Sequence, residues 1–239
     1  MQTNPSPIYE GKAKKLYRED GGVLVQEFKN SATAFNGQKK AEFPGKGEFN
    51  ARMSAALFDY LQKKGMKTHL LSFVEPNIHR IMELEMIPAE VVVRNFVAGS
   101  LAKRSGKAEG SPIEPPLVEW FLKDDAKGDP QMSEEQLIKD VHQNSKELEQ
   151  VKKLALEVNR HLTDLFQKVG LKLVDFKLEF GRDKKGKILL ADEISPDTCR
   201  IWDQETGEKL DKDRFRFDLG DLLTGYRKIW ERLQRELVA

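Results

Sequence analysis

Apolar and charged residues alternate from Val174 to Phe180: Val174, Phe176, Leu178 and Phe180 interleave with Asp175, Lys177 and Glu179. Side chains on a strand switch faces at every residue, so the pattern predicts a half-buried strand with its three charges on one face. The turn-forming run R-D-K-K-G-K follows, and then the apolar Ile188-Leu189-Leu190-Ala191. Together they read as a β-hairpin. A two-residue turn at Lys185-Gly186 places Glu179 directly opposite Asp192.

The remaining pattern supplies a frame around that hairpin. Ile8 to Phe28 reads as another hairpin, turning at E-D-G-G. Asn30 to Gly47 is a polar connection with a turn at Asn36-Gly37. Glu48 to Lys64 predicts a helix with Met53, Ala56, Leu57, Tyr60 and Leu61 on one face. Thr68 to Val74 is a short strand that Pro76 breaks, and Ile78 to Met82 starts a further apolar segment. The β-branched run A-E-V-V-V-R-N-F-V predicts a buried strand. It ends at Ala98-Gly99-Ser100, with Ser100 as N-cap of a helix carrying Lys103 and Arg104. Glu109 to Gln131 is rich in proline and glycine, and no regular element fits most of it. Its Leu117, Val118, Trp120, Phe121 and Leu122 still predict an ordered segment. Ser133 to Gln136 is a capping box, and Ser145 caps a long amphipathic helix that Gly170 stops. I-S-P-D-T-C-R-I-W-D is a loop holding Asp197 and Arg200, and Leu219 to Leu237 closes the chain as an amphipathic helix.

Composition narrows the classes. The 239 residues suffice for one large domain or two lobes. Lys and Arg total 40 against 39 Asp and Glu, so no global basic field marks a nucleic-acid partner. No apolar run approaches the ~18 residues of a membrane span and no leader-like segment opens the chain, so the expected setting is cytoplasmic, without a membrane partner. A single cysteine, Cys199, fits a reducing compartment. His69, His79, His142 and His161 lack metal-ligand spacing, which argues against zinc.

Candidate chemistry gathers at the charged hairpin face. Carboxylates facing each other across a ladder repel, so Glu179 and Asp192 need compensation. Mg²⁺ supplies it in many phosphate sites, held by one or two carboxylates plus phosphate oxygens. Lys177 then reaches the same phosphates. The alternative is a solvated charged face with a register one residue off. Gly11 between Lys12 and Lys14 could cover phosphates as glycine-rich loops do, or belong to an ordinary exposed hairpin. No Walker A motif occurs. Arg94 inside an apolar strand requires a buried carboxylate or an anionic ligand, and both readings stand.

Five segments carry a family resemblance: E-G-K-A-K-K-L-Y, V-V-R-N-F-V-A-G-S-L-A-K-R, V-D-F-K-L-E-F-G, A-D-E-I-S-P-D-T-C-R-I-W-D and D-K-D-R-F-R. In order and spacing they resemble the phosphoribosylaminoimidazole-succinocarboxamide synthase (SAICAR synthetase) family of purine biosynthesis. The resemblance runs from about Tyr9 into the C-terminal helix. It implies an α+β, two-lobed fold related to kinase and ATP-grasp architectures, with antiparallel sheets and packed helices. Residues 1–85 would form a β-rich lobe covering the nucleotide, and residues 86–239 an α+β lobe with the metal and ribonucleotide sites. It implies a carbon–nitrogen ligase that joins L-aspartate to the carboxylate of 5-amino-1-(5-phospho-D-ribosyl)imidazole-4-carboxylate (CAIR) with ATP, through an acyl phosphate. The implied ATP contacts are Lys12, Ala13, Lys14, Met86, Lys177, Glu179 and Asp192, with Glu179 and Asp192 holding Mg²⁺. Arg94, Ser100, Arg200, Arg214 and Arg216 match ribonucleotide contacts. The implied catalytic residues are Lys177, which would neutralise phosphate charge, and Asp175, Lys123 and Asp129, which would line the reacting carboxylate; the Ser31–Asn36 loop would be the source of aspartate contacts. Cys199 stands where serine is often found, beside Arg200. A homo-oligomer is also implied.

Two rivals remain. A small-molecule kinase related to the inositol phosphate kinases shares the D-x-K-x-E strand but transfers phosphate to a hydroxyl. A non-catalytic nucleotide- or RNA-binding module would use Lys12, Lys14, Lys103 and Arg104 on phosphates, with a steep salt dependence and no need for Mg²⁺.

Overall fold

The computed structural model describes residues 6–35, 37–124 and 127–237. Strands β1 (Tyr9–Glu10), β2 (Lys14–Glu19), β3 (Val23–Phe28), β6 (Leu70–Val74) and β7 (Ile78–Met82) form one antiparallel sheet in the order β1-β2-β3-β7-β6. A ribbon of β4 (Ser31–Ala34) and β5 (Lys39–Glu42) follows β3 in the chain, where the sequence predicts only a polar connection. Its expected turn includes Asn36, which lies outside the described residues.

The larger sheet has six strands: β8 (Glu85–Phe96), β9 (Pro112–Leu122), β10 (Gln131–Met132), β11 (Leu171–Arg182), β12 (Ile188–Ala191) and β13 (Cys199–Asp203). Its centre is β11. One edge of β11 pairs with β8, and the other is divided between β12 and β13. Helix α4 (Ser145–Lys168) lies across β11 and β8, while α1 (Lys46–Lys63) packs against the smaller sheet and against α6 (Leu222–Leu237). One apolar core joins them, from Leu57 and Leu61 of α1 through Phe176 and Phe180 of β11 to Tyr226 and Ile229 of α6. None of the described helices is long and apolar enough to cross a membrane.

The expected hairpin of β11 and β12 is present with its register moved by one. Glu179 pairs with Ala191, and Arg182 with Ile188, so Asp192 lies one residue beyond the ladder. Asp183 causes the shift: its amide donates to the Lys187 carbonyl at 2.9 Å, and its Oδ1 accepts from the Lys185 and Lys187 amides, both at 2.8 Å. A wider loop therefore replaces the two-residue turn. The charged face is interior, with Asp175 only 3% and Glu179 2% exposed. Val174 leaves the face of Phe176 and packs with Ala98 and Trp202, because the register shifts between Leu173 and Asp175. Such a bulge exchanges the faces of the residues on either side.

The proline-rich segment forms β9. Proline removes a ladder donor, but β10 covers β9 only at Trp120 and Phe121. Pro112, Pro115 and Pro116 thus occupy a stretch with one open edge, and a register shift between Arg94 and Phe96 takes up the extra residues. Two caps also move by a residue or two. Ala98 precedes α2 (Gly99–Ser105), so Ser100 lies inside that helix, and the Asn144 carboxamide rather than Ser145 caps α4. The capping box at Ser133 opens α3 (Glu134–Asp140) as expected. Arg200 belongs to β13 rather than to a loop.

Gly225 in α6 illustrates how tightly the last helix seats. A Cβ there would stand 2.6 Å from Arg214 Cδ and closer still to the Leu210 carbonyl. In an open helix Gly→Ala gains about 1 kcal/mol. Here the backbone overlap dominates, so Gly225→Ala should lose about 1–3 kcal/mol in urea unfolding.

Candidate active site

β11 changes partners at mid-strand, and the site sits at that division. β12 ends at Ala191 and β13 begins at Cys199; residues 192–198 leave the sheet between them. The Lys177 amide spans the gap by donating to the Thr198 carbonyl at 2.9 Å. Asp175, Lys177 and Glu179 project from β11 at this level, while the departing loop contributes Asp192, Glu193 and Asp197.

Three ammonium groups tie Glu179, Asp192 and Glu193 together. Lys177 Nζ contacts Glu179, lies 2.7 Å from Asp192 Oδ2 and 3.5 Å from Glu90 Oε1. Lys14, from β2, contacts Asp192 and lies 2.9 Å from Glu193 Oε1. Lys123, just beyond β9, donates to Glu179 Oε2 at 2.5 Å. Burial is the largest single influence on Lys14 and Lys177 and opposes their charge, but Asp192 together with Glu193 at Lys14, and with Glu179 and Glu90 at Lys177, outweighs it; both pKa values are raised. Burial likewise disfavours the Asp192 carboxylate, yet Lys14, Lys177 and Lys123 hold its pKa well below the ordinary range. Burial raises Glu90, against the pull of Lys177.

Two adjoining cavities share this cluster as a wall. The polar one, about 390 Å³, is lined by Gly11, Lys12, Ala13, Lys14, Thr33 to Phe35, Lys123, Asp129, Lys177, Glu179, Asp192, Asp197, Lys212 and Arg216, among others. The apolar one, about 300 Å³, is lined by Leu16, Leu24, Gln26, His69, Ile81, Met82, Leu84 and Met86. Tyr9, Lys14, Lys123, Glu179 and Asp192 border both. In the apolar cavity, Gln26 Nε2 is buried without a hydrogen-bond partner among the described residues. His69 is buried too, and desolvation lowers its pKa to about 3.

A chain of alternating charges reaches the polar cavity from the side. Glu119 accepts from Arg94 Nε at 2.6 Å; Arg94 Nη1 donates to Asp175 Oδ2 at 2.6 Å. Asp175 also accepts from Arg200 Nη1 at 2.9 Å, Arg200 Nε donates to Asp213 at 3.0 Å, and Arg216 Nη1 donates to Asp213 at 2.6 Å. Arg94 therefore has buried carboxylate partners, and Ser100 Oγ stands 3.5 Å from its Nη2. A Cβ on Gly99 would lie 2.7 Å from Arg200 Cζ, so the glycine leaves room for that guanidinium.

The structure thus brings Lys12, Ala13, Lys14, Lys123, Asp129, Lys177, Glu179, Asp192 and Arg216 to one cavity and Met86 to its neighbour. Arg94, Ser100, Asp175 and Arg200 lie beside the cavities, linked to them through Asp213 and Arg216. Arg214 stands apart: its guanidinium holds Glu208 at 2.8 Å and the Asp221 carbonyl at 2.9 Å, fastening the entry to α6.

Several site residues carry no sequence mark of that role. Lys46, wholly buried at the start of α1, lies 2.6 Å from Asp197 Oδ2. Tyr226 of α6 donates to the other oxygen of Asp197, and Lys212 lies 3.8 Å away. Burial disfavours charge on Asp197, but Lys212 and Lys46 overcome it and lower its pKa. Burial also lowers the Lys212 pKa. Tyr226 falls at core spacing with Leu222 and Ile229, and a lysine opening a helix reads as solvated; only the packed fold joins them.

Known proteins share this architecture. A family model described as SAICAR synthetase matches residues 7–233. The phosphoribosylaminoimidazole-succinocarboxamide synthase of Halalkalibacterium halodurans is 50% identical over 230 residues, covering 96% of this chain and 97% of the relative. That of Thermococcus sibiricus is 50% identical over 226 residues, with 95% and 97% covered. The crystal structure of the synthase from Ehrlichia chaffeensis matches with a TM-score of 0.93 at 42% identity, across 96% of this chain and 98% of that one. A SAICAR synthetase in complex with ADP matches with a TM-score of 0.92 at 49% identity, across 94% and 96%. With its charged β11, its divided sheet edge and near-complete coverage in both directions, the chain belongs to the SAICAR synthetase family.

Proposed function

We propose that this chain joins L-aspartate to the carboxylate of CAIR, consuming ATP and yielding SAICAR, ADP and phosphate. A carboxylate is a poor electrophile until one oxygen becomes a leaving group. The CAIR carboxylate oxygen takes the γ-phosphoryl group, ADP departs, and an acyl phosphate remains. The aspartate amine then forms the C–N bond, expelling phosphate and losing a proton. This chemistry needs positioning and charge neutralisation more than a protein nucleophile.

The observation that carries the reading is the lysine–carboxylate cluster on the wall between a polar and an apolar cavity. A nucleotide has the same division, with a flat base at one end and phosphates at the other. Leu16, Leu24, Ile81 and Met86 suit the base, and the orphan Nε2 of Gln26 offers a donor to a ring nitrogen. Lys12, Lys14, Lys123 and Lys177 suit the phosphates, with the Ala13 backbone beside them. The relative bound to ADP supports a nucleotide here. In this reading residues 1–85 cover the nucleotide, and residues 86–239 hold the metal and ribonucleotide sites. Arg94, Ser100, Arg200 and Arg216 meet the anionic groups of CAIR, while Asp175 and Asp129 orient the arginines and the cavity wall.

Mg²⁺ fits the donor set as a shared ligand. Among the described residues no cluster of three or more His, Cys, Asp or Glu forms a cage. Glu179 and Asp192 converge on one point, where Lys177 now compensates them. Two carboxylates completed by phosphate oxygens and water are a usual Mg²⁺ shell. The ammonium groups of Lys14, Lys123 and Lys177 already face the carboxylates of Glu90, Glu179, Asp192 and Glu193. A polyphosphate adds negative charge to that balance, so a divalent cation must enter with it. Bound there, Mg²⁺ neutralises phosphate charge and stabilises the departing ADP.

The deciding assay supplies ATP, aspartate and CAIR. ATP consumption should require CAIR, and amide product should require aspartate. ATP turnover on inositol phosphates with none on CAIR would replace this reading with the kinase one. Glu179→Gln and Asp192→Asn should each lower turnover about 10²–10³-fold at saturating Mg²⁺, with little change in melting temperature, because Lys14 and Lys177 keep other carboxylates and the half-exposed Lys123 reaches water. Wild-type turnover in both variants would remove the metal role. Ser100→Ala, at an exposed residue, should raise the KM for CAIR several-fold without shifting the melting temperature. Arg94→Ala behaves differently: it removes one of two guanidinium partners from each of buried Glu119 and Asp175, leaving Arg104 and Arg200, and should lose about 1.5–3 kcal/mol in urea unfolding.

A further inference from the structure

We infer that His69 is a positioning residue for Asp192: its ring Nε2 holds the Asp192 carbonyl so that the side-chain carboxylate faces the phosphate–metal site. The inference rests on the reading of Asp192 as a nucleotide–metal carboxylate.

Asp192 has a φ of 60°, in the left-handed region. A residue with a Cβ loses roughly 1–2 kcal/mol there, and such a conformation persists only where the surroundings over-determine it. The ladder does not, since β12 ends at Ala191. The segment just before β6 does. The Leu190 amide donates to the Lys67 carbonyl at 3.0 Å, and the His69 amide donates to the Leu190 carbonyl at 2.9 Å. This short parallel pairing through Thr68 fixes the chain up to Leu190. Beyond that, His69 Nε2 lies 3.2 Å from the Asp192 carbonyl oxygen. A carbonyl can only accept, so Nε2 carries the hydrogen and donates it. The ring is itself held: Phe58 packs edge-on at 5.5 Å, and the His69 carbonyl accepts from the Met82 amide at 2.8 Å.

Rotation of the Asp192 backbone out of this conformation would carry the carboxylate away from Lys14 and Lys177, its partners on the other side of the residue. One imidazole thus stands behind the carboxylate while it also lines the apolar cavity. It joins the part of the site shaped for a base to the part shaped for a cation. Residues that orient a metal ligand from behind typically alter metal affinity about 10–100-fold when replaced.

The test is calorimetric titration of ADP with and without Mg²⁺, on wild type, His69→Leu and His69→Gln, with melting temperatures measured beside it. Glutamine presents an amide donor near the position of Nε2; leucine keeps volume and removes the donor. Mg²⁺ should tighten ADP binding to wild type. His69→Leu should lose at least about tenfold of that gain while metal-free ADP affinity changes far less, and His69→Gln should keep most of it. A full Mg²⁺ gain in His69→Leu overturns the positioning role, as does an equal loss in the leucine and glutamine variants. Should leucine prevent folding, the glutamine variant decides alone: its Mg²⁺ gain stays near wild type or the inference fails. Absence of any Mg²⁺ gain in wild type overturns the metal reading of Asp192 instead, which separates the two failures.

Discussion

Like charge buried at one point of a sheet is the constraint around which this protein is arranged. β11 carries Asp175 and Glu179 into the interior, and the loop after β12 adds Asp192 and Glu193 beside them. An uncompensated buried carboxylate costs several kcal/mol, so cations must attend each one. Arg94 and Arg200 attend Asp175, and for the others the fold adds to Lys177 of β11 itself two lysines from distant segments, Lys14 of the smaller sheet and Lys123 from beyond β9. The pairing is not one to one. Lys177 serves Glu90, Glu179 and Asp192, and Lys14 serves Asp192 and Glu193. An ammonium with several acceptors can exchange one for a phosphate oxygen without being stripped bare. Charge is thus in place before a ligand arrives, which is the condition for electrostatic catalysis without reorganisation.

Backbone irregularities aim these groups. The bulge between Leu173 and Asp175 sets the parity that puts Asp175, Lys177 and Glu179 together while Leu171 and Leu173 still reach the core. The gap between β12 and β13 frees the loop, and the left-handed turn at Asp192 begins it. Each departs from a regular ladder, and each lies within a few residues of the charged cluster. Regular structure elsewhere, above all α4 across β11 and β8, supplies the packing that tolerates them.

Periodicity reveals the regular part of this and little of the irregular part. The alternation in β11, the helical spacing of α4 and the capping box at Ser133 are local signals, and the structure follows them. The one-residue register error arises because R-D-K-K-G-K contains two usable turns, and only the Asp183 side-chain bonds select the wider one. β9 is hidden because prolines that forbid a central strand are tolerated where one edge stays open. Lys46 and Asp197 lie far apart in sequence and meet only when α1 packs beside the loop before β13. Charged residues read as solvated until a partner is found, and no local window contains that partner.

The division between the two cavities follows from the same cluster. Apolar Leu16, Leu24 and Ile81 line one cavity alone, Lys12, Lys177, Lys212 and Arg216 line the other alone, and Lys14, Lys123, Glu179 and Asp192 stand in the wall between them. Salt-bridged tips cannot turn into the apolar side without losing partners, so the wall keeps its two characters. That fixes which end of an amphiphilic ligand enters where, before any specific contact forms. The arginine–carboxylate chain from Glu119 to Arg216 likewise ends at the polar cavity, where Arg216 joins the lining, and among the described residues the apolar cavity has lysines only at the shared wall. The boundary between the polar and the apolar cavity is therefore set by where β11 buries its charge.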